Sequence, residues 1–221
     1  MSQKIRVWDL PTRCFHWALV LCLVALLTTA QIGGDAMAWH FRAGYAVLSL
    51  LLFRLIWGVV GGKWSRFGAF LYAPATVLAY LQGRGRPEHS IGHNPLGAAS
   101  VFAMLGFLLL QVASGLFSDD EIAAAGPLSK FVSSAVASAA TSYHTTAGKM
   151  MVIALVLLHI GAIVFYYVKK RENLLQPMLV GDKETNHAVA GSRDDAGART
   201  LALVLYMGCA ALVATMVRLA G

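Results

Sequence analysis

Five apolar runs of about 18 or more residues, separated by charged loops, decide the class of fold before any single residue is considered. They lie at roughly Phe15–Ile32, His40–Val60, Leu96–Phe117, Thr146–Val168 and Leu201–Leu219. A run of this length covers the hydrocarbon core of a bilayer as one helix, so five transmembrane helices are expected. Composition agrees: 57% of the residues are hydrophobic and 13% charged, against about 45–50% and 25% in soluble domains. The longest polar stretch, Lys169–Thr200, reads as too short and too polar to bury a core of its own.

The net charge of +7 takes its meaning from its distribution. Lys4, Arg6 and Arg13 sit in the N-terminal tail, and Lys63, Arg66, Arg84 and Arg86 in the second loop. Lys169, Lys170, Arg171, Lys183, Arg193 and Arg199 sit in the fourth. The first and third loops carry Asp35 and Asp119-Asp120-Glu121 against Lys130. Basic and acidic loops alternate, which is the positive-inside pattern. The N-terminus and loops two and four are therefore expected in the cytoplasm, and the C-terminus in the periplasm. The basic charge is a topology signal, and nucleic acid is not an expected partner. The first run has the basic flank of a signal peptide, but the orientation of the later loops requires it as an uncleaved helix.

Cys14, Cys22 and Cys209 fall in or beside apolar runs without paired spacing. No C-x-x-C-H motif, iron–sulfur framework or zinc framework is present. Asn94-Pro95 marks a capped helix start with proline in the first turn. Pro74 opens a short interfacial segment, Ala75–Leu81, and a surface helix is expected at Lys130–Ala140.

Four of the seven histidines fall at membrane depth or at helix ends: His16, His40, His144 and His159. Ionisable residues in a membrane are costly and so are functional candidates. His16 and His40 alone also fit an interfacial role, whereas His159 is flanked by Val156-Leu157-Leu158 and Ile160-Gly161-Ala162. His144 and His159 lie about 22 Å apart along one helix and differ by roughly 60° in azimuth. One is then near each membrane face, with His40 beside His144 on the outer side and His16 beside His159 on the inner side. Two such pairs are what two bis-histidine haems in a four-helix bundle require. Gly44 and Gly148 follow His40 and His144 by four residues, which either clears room for a macrocycle or allows close helix packing. Arg42 and Lys149 lie near the outer pair, Arg13 and Arg54 near the inner one; they suit haem propionates or snorkelling to lipid headgroups. His89, His93 and His187 lie in polar loops and read as solvated. A transporter using histidines as a proton relay is a third class, without inverted repeats to support it.

Val7-Trp8-Asp9-Leu10-Pro11-Thr12-Arg13-Cys14-Phe15-His16-Trp17 closely resembles the opening of the b-type cytochrome subunits of nickel-dependent hydrogenases, within the bacterial cytochrome b561 family. Phe53-Arg54-Leu55-Ile56-Trp57-Gly58, His93-Asn94-Pro95-Leu96-Gly97-Ala98 and Glu172-Asn173-Leu174-Leu175-Gln176-Pro177-Met178 extend the resemblance. It implies an all-α membrane four-helix bundle with two haems b, ligated by His40/His144 and His16/His159. It implies an electron-transfer subunit, an oxidoreductase in the broad sense, that exchanges electrons with quinone in the inner membrane. It also implies a periplasmic partner, a hydrogenase or a c-type cytochrome. Residues 1–184 would form the dihaem domain and 185–221 a polar linker with an additional fifth helix. Tyr143, Thr146 and Trp39 are candidates for the quinone site, as are residues at the inner haem. A superoxide:quinone oxidoreductase is the alternative within the same family, using Arg42, Lys130 or Lys149 to attract the anion.

Overall fold

The computed structural model describes residues 3–85, 91–122, 124–186 and 188–220. In chain order the elements are β1 (Gln3–Arg6), α1 (Leu10–Ile32), α2 (Met37–Val60), α3 (Pro74–Leu81), α4 (Pro95–Phe117), α5 (Ser134–Tyr143), α6 (Lys149–Lys169), α7 (Leu175–Val180), β2 (Asp182–Thr185) and α8 (Ala196–Ala220). Among the described residues five spans are long and apolar enough to cross a bilayer: α1, α2 with the turn before it, α4, the continuous helix Ser134–Lys169, and α8. Large apolar side chains on them point outward, Leu21 at 71% and Leu158 at 67% exposure among them. A soluble monomer rarely displays so much contiguous apolar surface, whereas lipid covers it without penalty. The chain is an all-α membrane protein.

Helix starts are set by local chemistry. Asp9 precedes α1, and its Oδ1 accepts the Thr12 backbone N–H at 2.8 Å. Asn94 does the same for α4, accepting from Gly97 N at 2.8 Å, with Pro95 in the first turn. The fourth span differs from its expected limits. Ser133 caps α5 by accepting from Val136 N, and the Ala-rich segment runs without a break through a π turn at His144–Gly148 into α6. The separate surface helix expected at Lys130–Ala140 is thus the first part of the span itself, because alanine favours helix wherever packing does not forbid it. The 36 residues reach about 54 Å, well beyond a hydrocarbon core of about 30 Å.

The chain forms two compact units. The first comprises Met1–Phe15, Arg54–Ala103 and Leu158–Leu205. It is organised around Asp9, which is fully buried. Besides Thr12, its carboxylate accepts from Trp57 Nε1 at 3.2 Å, Gly62 N at 3.2 Å and Ser65 Oγ at 2.6 Å. Gly62 is required there, since a Cβ would stand 2.5 Å from Asp9 Oδ2. Strands β1 and β2 pair antiparallel, with Ile5 opposite Lys183 and Arg6 opposite Asp182. Ile5, Val7, Trp8 and Ile91 form a small core closed by Trp64, Met178 and Val189. The polar stretch after α6 therefore does contribute to a core, using the N-terminal tail as its other half.

The segment expected as a polar linker is also anchored. Ser192 N donates to Arg6 O at 2.6 Å and Ser192 Oγ to Val7 O at 2.8 Å. Asp194 accepts from Leu10 N at 3.1 Å and pairs with Arg6 and Arg199.

The second unit comprises His16–Phe53, Met104–Leu157 and Tyr206–Gly221. Here α8 buries Cys209, Val213 and Ala220 and sets Tyr206 edge-on to Phe53 at 6.2 Å, while Met207, Leu212 and Leu219 remain exposed. All three cysteines are free thiols.

Replacing Asp9 with Ala removes a helix cap and strands two buried N–H donors. A loss of about 2–4 kcal/mol is expected, read as a lower thermal unfolding midpoint in detergent. Asp9→Asn, which keeps an acceptor oxygen, is expected to lose less, and an unchanged midpoint for Asp9→Ala would contradict the role given to this carboxylate.

Candidate functional site

In the second unit the first turn of α2 and the π turn ahead of α6 bring two imidazoles together edge to face. The ring centres of His40 and His144 are 6.2 Å apart and their planes cross at 85°. Each ring is held by its Nδ1. His40 Nδ1 lies 3.1 Å from Leu26 O and 3.4 Å from Thr29 Oγ1 of α1. His144 Nδ1 lies 2.8 Å from Gln111 O and 3.2 Å from Ser114 Oγ of α4. A backbone carbonyl can only accept, so Nδ1 carries the proton and Nε2 keeps its lone pair. This is the arrangement that orients a histidine as a metal ligand.

The pair fits an axially ligated haem. Two imidazoles bound to one metal from opposite sides, at about 2 Å per bond, set their ring centres about 6 Å apart. Among the described residues no cluster of three or more His, Cys, Asp or Glu side chains converges on one point. A metal held here takes its remaining ligands from a prosthetic group, as a porphyrin iron does. A π turn inside a helix shifts the following side chains around the axis and recurs at functional sites.

The glycines divide. A Cβ at Gly44 would meet nothing within 4 Å. At Gly148 it would strike Gln111 and Tyr143, so this glycine admits those side chains, which is the close-packing alternative. Gly115 was not foreseen: a Cβ there would lie 2.7 Å from His144 Cε1. Nor were Gln111 and Ser114, although polar residues inside the third apolar run were a readable signal. Arg42 is exposed and lies over the Trp39 ring at 4.8 Å; Lys149 is half-buried. His16, also in this unit, meets Trp17 edge-on at 4.9 Å.

The first unit holds His159, Arg54 and Arg13. Arg54 is 3% exposed and lies over Phe67 at 4.6 Å. Arg13 Nη1 donates to Leu179 O at 2.6 Å. Arg54 Nη1 and Arg13 Nε are buried without a hydrogen-bond partner among the described residues. His93 corrects the expectation of a solvated loop residue. Its ring packs against Trp8 at 4.6 Å and Phe70 at 4.4 Å, and its Nδ1 is buried with no partner among the described residues. Burial, then the charge of Arg54 and of His159, push its pKa down to about 3. A polar-looking loop reads as solvated from sequence; here Tyr72 OH holds the His93 carbonyl at 3.0 Å, and Asn94 Nδ2 donates to Tyr166 OH at 2.8 Å. His89 and His187 lie outside the described residues.

Comparison with known proteins gives the family. Residues 7–181 match the family model described as prokaryotic cytochrome b561. A probable Ni/Fe-hydrogenase 1 B-type cytochrome subunit of Escherichia coli (strain K12) is 31% identical over 134 residues, 48% of this chain and 55% of that relative. The match thus spans about half the length of that relative. A probable Ni/Fe-hydrogenase B-type cytochrome subunit of Bradyrhizobium diazoefficiens is 22% identical over 81% of this chain and 86% of its own length. One from Azotobacter vinelandii is 30% identical over 50% and 58%. The apolar spans and the match over most of the sequence give one conclusion: the chain belongs to the prokaryotic cytochrome b561 family of membrane-spanning, haem b electron carriers.

Proposed function

We propose that the chain is the haem-bearing subunit of a bacterial inner-membrane electron-transfer system, carrying electrons between membrane quinone and a periplasmic redox partner. The names of the relatives favour a hydrogenase as that partner over a c-type cytochrome. The observation that carries the reading is the facing His40–His144 pair, each ring backed through Nδ1 by a main-chain carbonyl. Haem b would supply a one-electron couple there, and two histidines holding it would leave no open site for oxygen or substrate.

His40 and His144 are assigned to one haem through Nε2. His16 and His159 are assigned to a second on the register of the sequence. Arg54 and Arg13 have buried, unpaired guanidinium nitrogens that suit propionate oxygens. Arg42 and Lys149 are assigned the same role near the first pair. Gly44 borders the open space that a macrocycle needs.

The quinone is assigned to the neighbourhood of His93. Its neutral imidazole offers one unpaired ring nitrogen between two aromatic faces, which suits a flat ring bearing carbonyl oxygens. The basic N-terminal tail and second and fourth loops support a cytoplasmic N-terminus and a periplasmic C-terminus.

His144→Ala is expected to lose one haem of two and keep the other, as counted by pyridine haemochrome assay, and His159→Ala to lose the other one. Full occupancy in both variants would end the assignment. His93→Phe keeps the aromatic stack and removes the nitrogen. Its quinol-driven reduction is expected to slow about tenfold, the equivalent of one hydrogen bond of about 1.4 kcal/mol, while chemical reduction is unchanged; an unaltered quinol rate would move the quinone elsewhere.

A second readout is pH. A folded-state pKa of about 3, below the ordinary value of about 6.5, means that the unfolded chain binds a proton that folded His93 refuses. Stability from this residue is present above pH 6.5 and is lost as pH falls toward 3. His93→Phe is expected to flatten that part of the melting-point profile, and an identical slope would contradict the burial.

A further inference from the structure

The two imidazoles of the facing pair are not held alike. Among the described residues His40 is fixed through its ring, by Leu26 O and Thr29 Oγ1. His144 is fixed twice by one residue. The Gln111 carbonyl accepts from His144 Nδ1 at 2.8 Å, and the Gln111 side-chain amide Nε2 donates to the His144 carbonyl at 2.9 Å. Ring and backbone of one histidine are thus clamped by the backbone and side chain of one glutamine. The clamp closes on the first residue of the π turn, where the helix departs from regular α geometry and the local register needs an external hold.

The amide is kept there at a visible cost. Gln111 Oε1 is buried and has no hydrogen-bond partner among the described residues. An unpaired acceptor inside a membrane costs on the order of a few kcal/mol, so an apolar side chain would suit that position better if packing were its only task. Space is also reserved for the arrangement: Gly148 leaves room for the Gln111 and Tyr143 side chains, and Gly115 leaves room for the His144 ring.

A hydrogen bond from Nδ1–H to a carbonyl makes the imidazole a stronger electron donor through Nε2, and its strength depends on the ring staying aligned with that carbonyl. A stronger donor stabilises oxidised iron and lowers the reduction potential. We propose that Gln111 is a positioning residue that holds His144 in this alignment and so sets the potential of the haem assigned to His40 and His144. The inference rests on that assignment. It predicts that the potential of this haem alone is tuned from α4, by a residue that never touches the iron.

The test is a potentiometric titration of the purified protein with two variants, read together with electron paramagnetic resonance of the oxidised form. Gln111→Met keeps the side chain's length and apolar bulk without the donor. Gln111→Asn keeps an amide that is too short by one methylene to reach the His144 carbonyl, and it covers the case in which the methionine variant does not fold. In either folded variant both haems are expected to be bound. One midpoint should move to more positive potential, the other should stay, and one of the two low-spin signals should change its g-values. Two unchanged midpoints, or two that move together, would overturn the positioning role, as would failure of both variants to assemble. Absence of haem from the unsubstituted protein would instead overturn the assignment on which the proposal stands.

Discussion

An imidazole in hydrocarbon must satisfy its polar atoms from within the protein, and that requirement shapes the second unit. At His40 and His144 the Nδ1–H is met by a main-chain carbonyl, Leu26 O in one case and Gln111 O in the other. A helix interior has no spare carbonyls unless a side chain approaches from a neighbouring helix, so each ring must cross to the next helix to be paired. The two rings meet at 6.2 Å between their centres. The same pairing sets the tautomer of each ring and leaves the lone pair on Nε2, which is the state a metal ligand requires.

The first unit answers a different problem, the sealing of helix ends. Asp9 is the start of α1 and the acceptor for donors from the α2 end and the loop behind it. One buried carboxylate therefore joins the N-terminal tail to the second helix. The strand pair β1–β2 and the Arg6–Asp194–Arg199 ion pairs add the segment that leads into α8. Hydrogen bonds from Leu10 N to Asp194 and between Ser192 and the Arg6 and Val7 carbonyls add to the same anchor. The additional helix is thus fastened at its start by the same tail that opens the family pattern.

The spans were legible in the sequence because hydrocarbon thickness leaves its mark as run length, and Asn94-Pro95 announced a helix start through side-chain chemistry alone. Four histidines stood out because charge is expensive in lipid. What was not legible depended on partners far away in the chain. The β1–β2 pair joins residues far apart in the chain, such as Gln3 and Thr185, and neither strand alternates apolar and polar residues. His93 looked solvated because its neighbours in sequence are polar, whereas its neighbours in space are Trp8 and Phe70. The π turn that begins at His144 leaves no compositional trace. Gln111 and Ser114 were visible as polar letters in an apolar run, but only their contact with His144 gives them a task.

The central claim is that facing imidazoles clamp an iron porphyrin from both sides. Its most direct measurement is the spin state and haem content of the purified, oxidised protein, from optical and paramagnetic resonance spectra on the same sample. Two haems b per chain, both six-coordinate and low-spin, are expected. A folded chain without bound iron, or one whose haem is five-coordinate and high-spin, would contradict it.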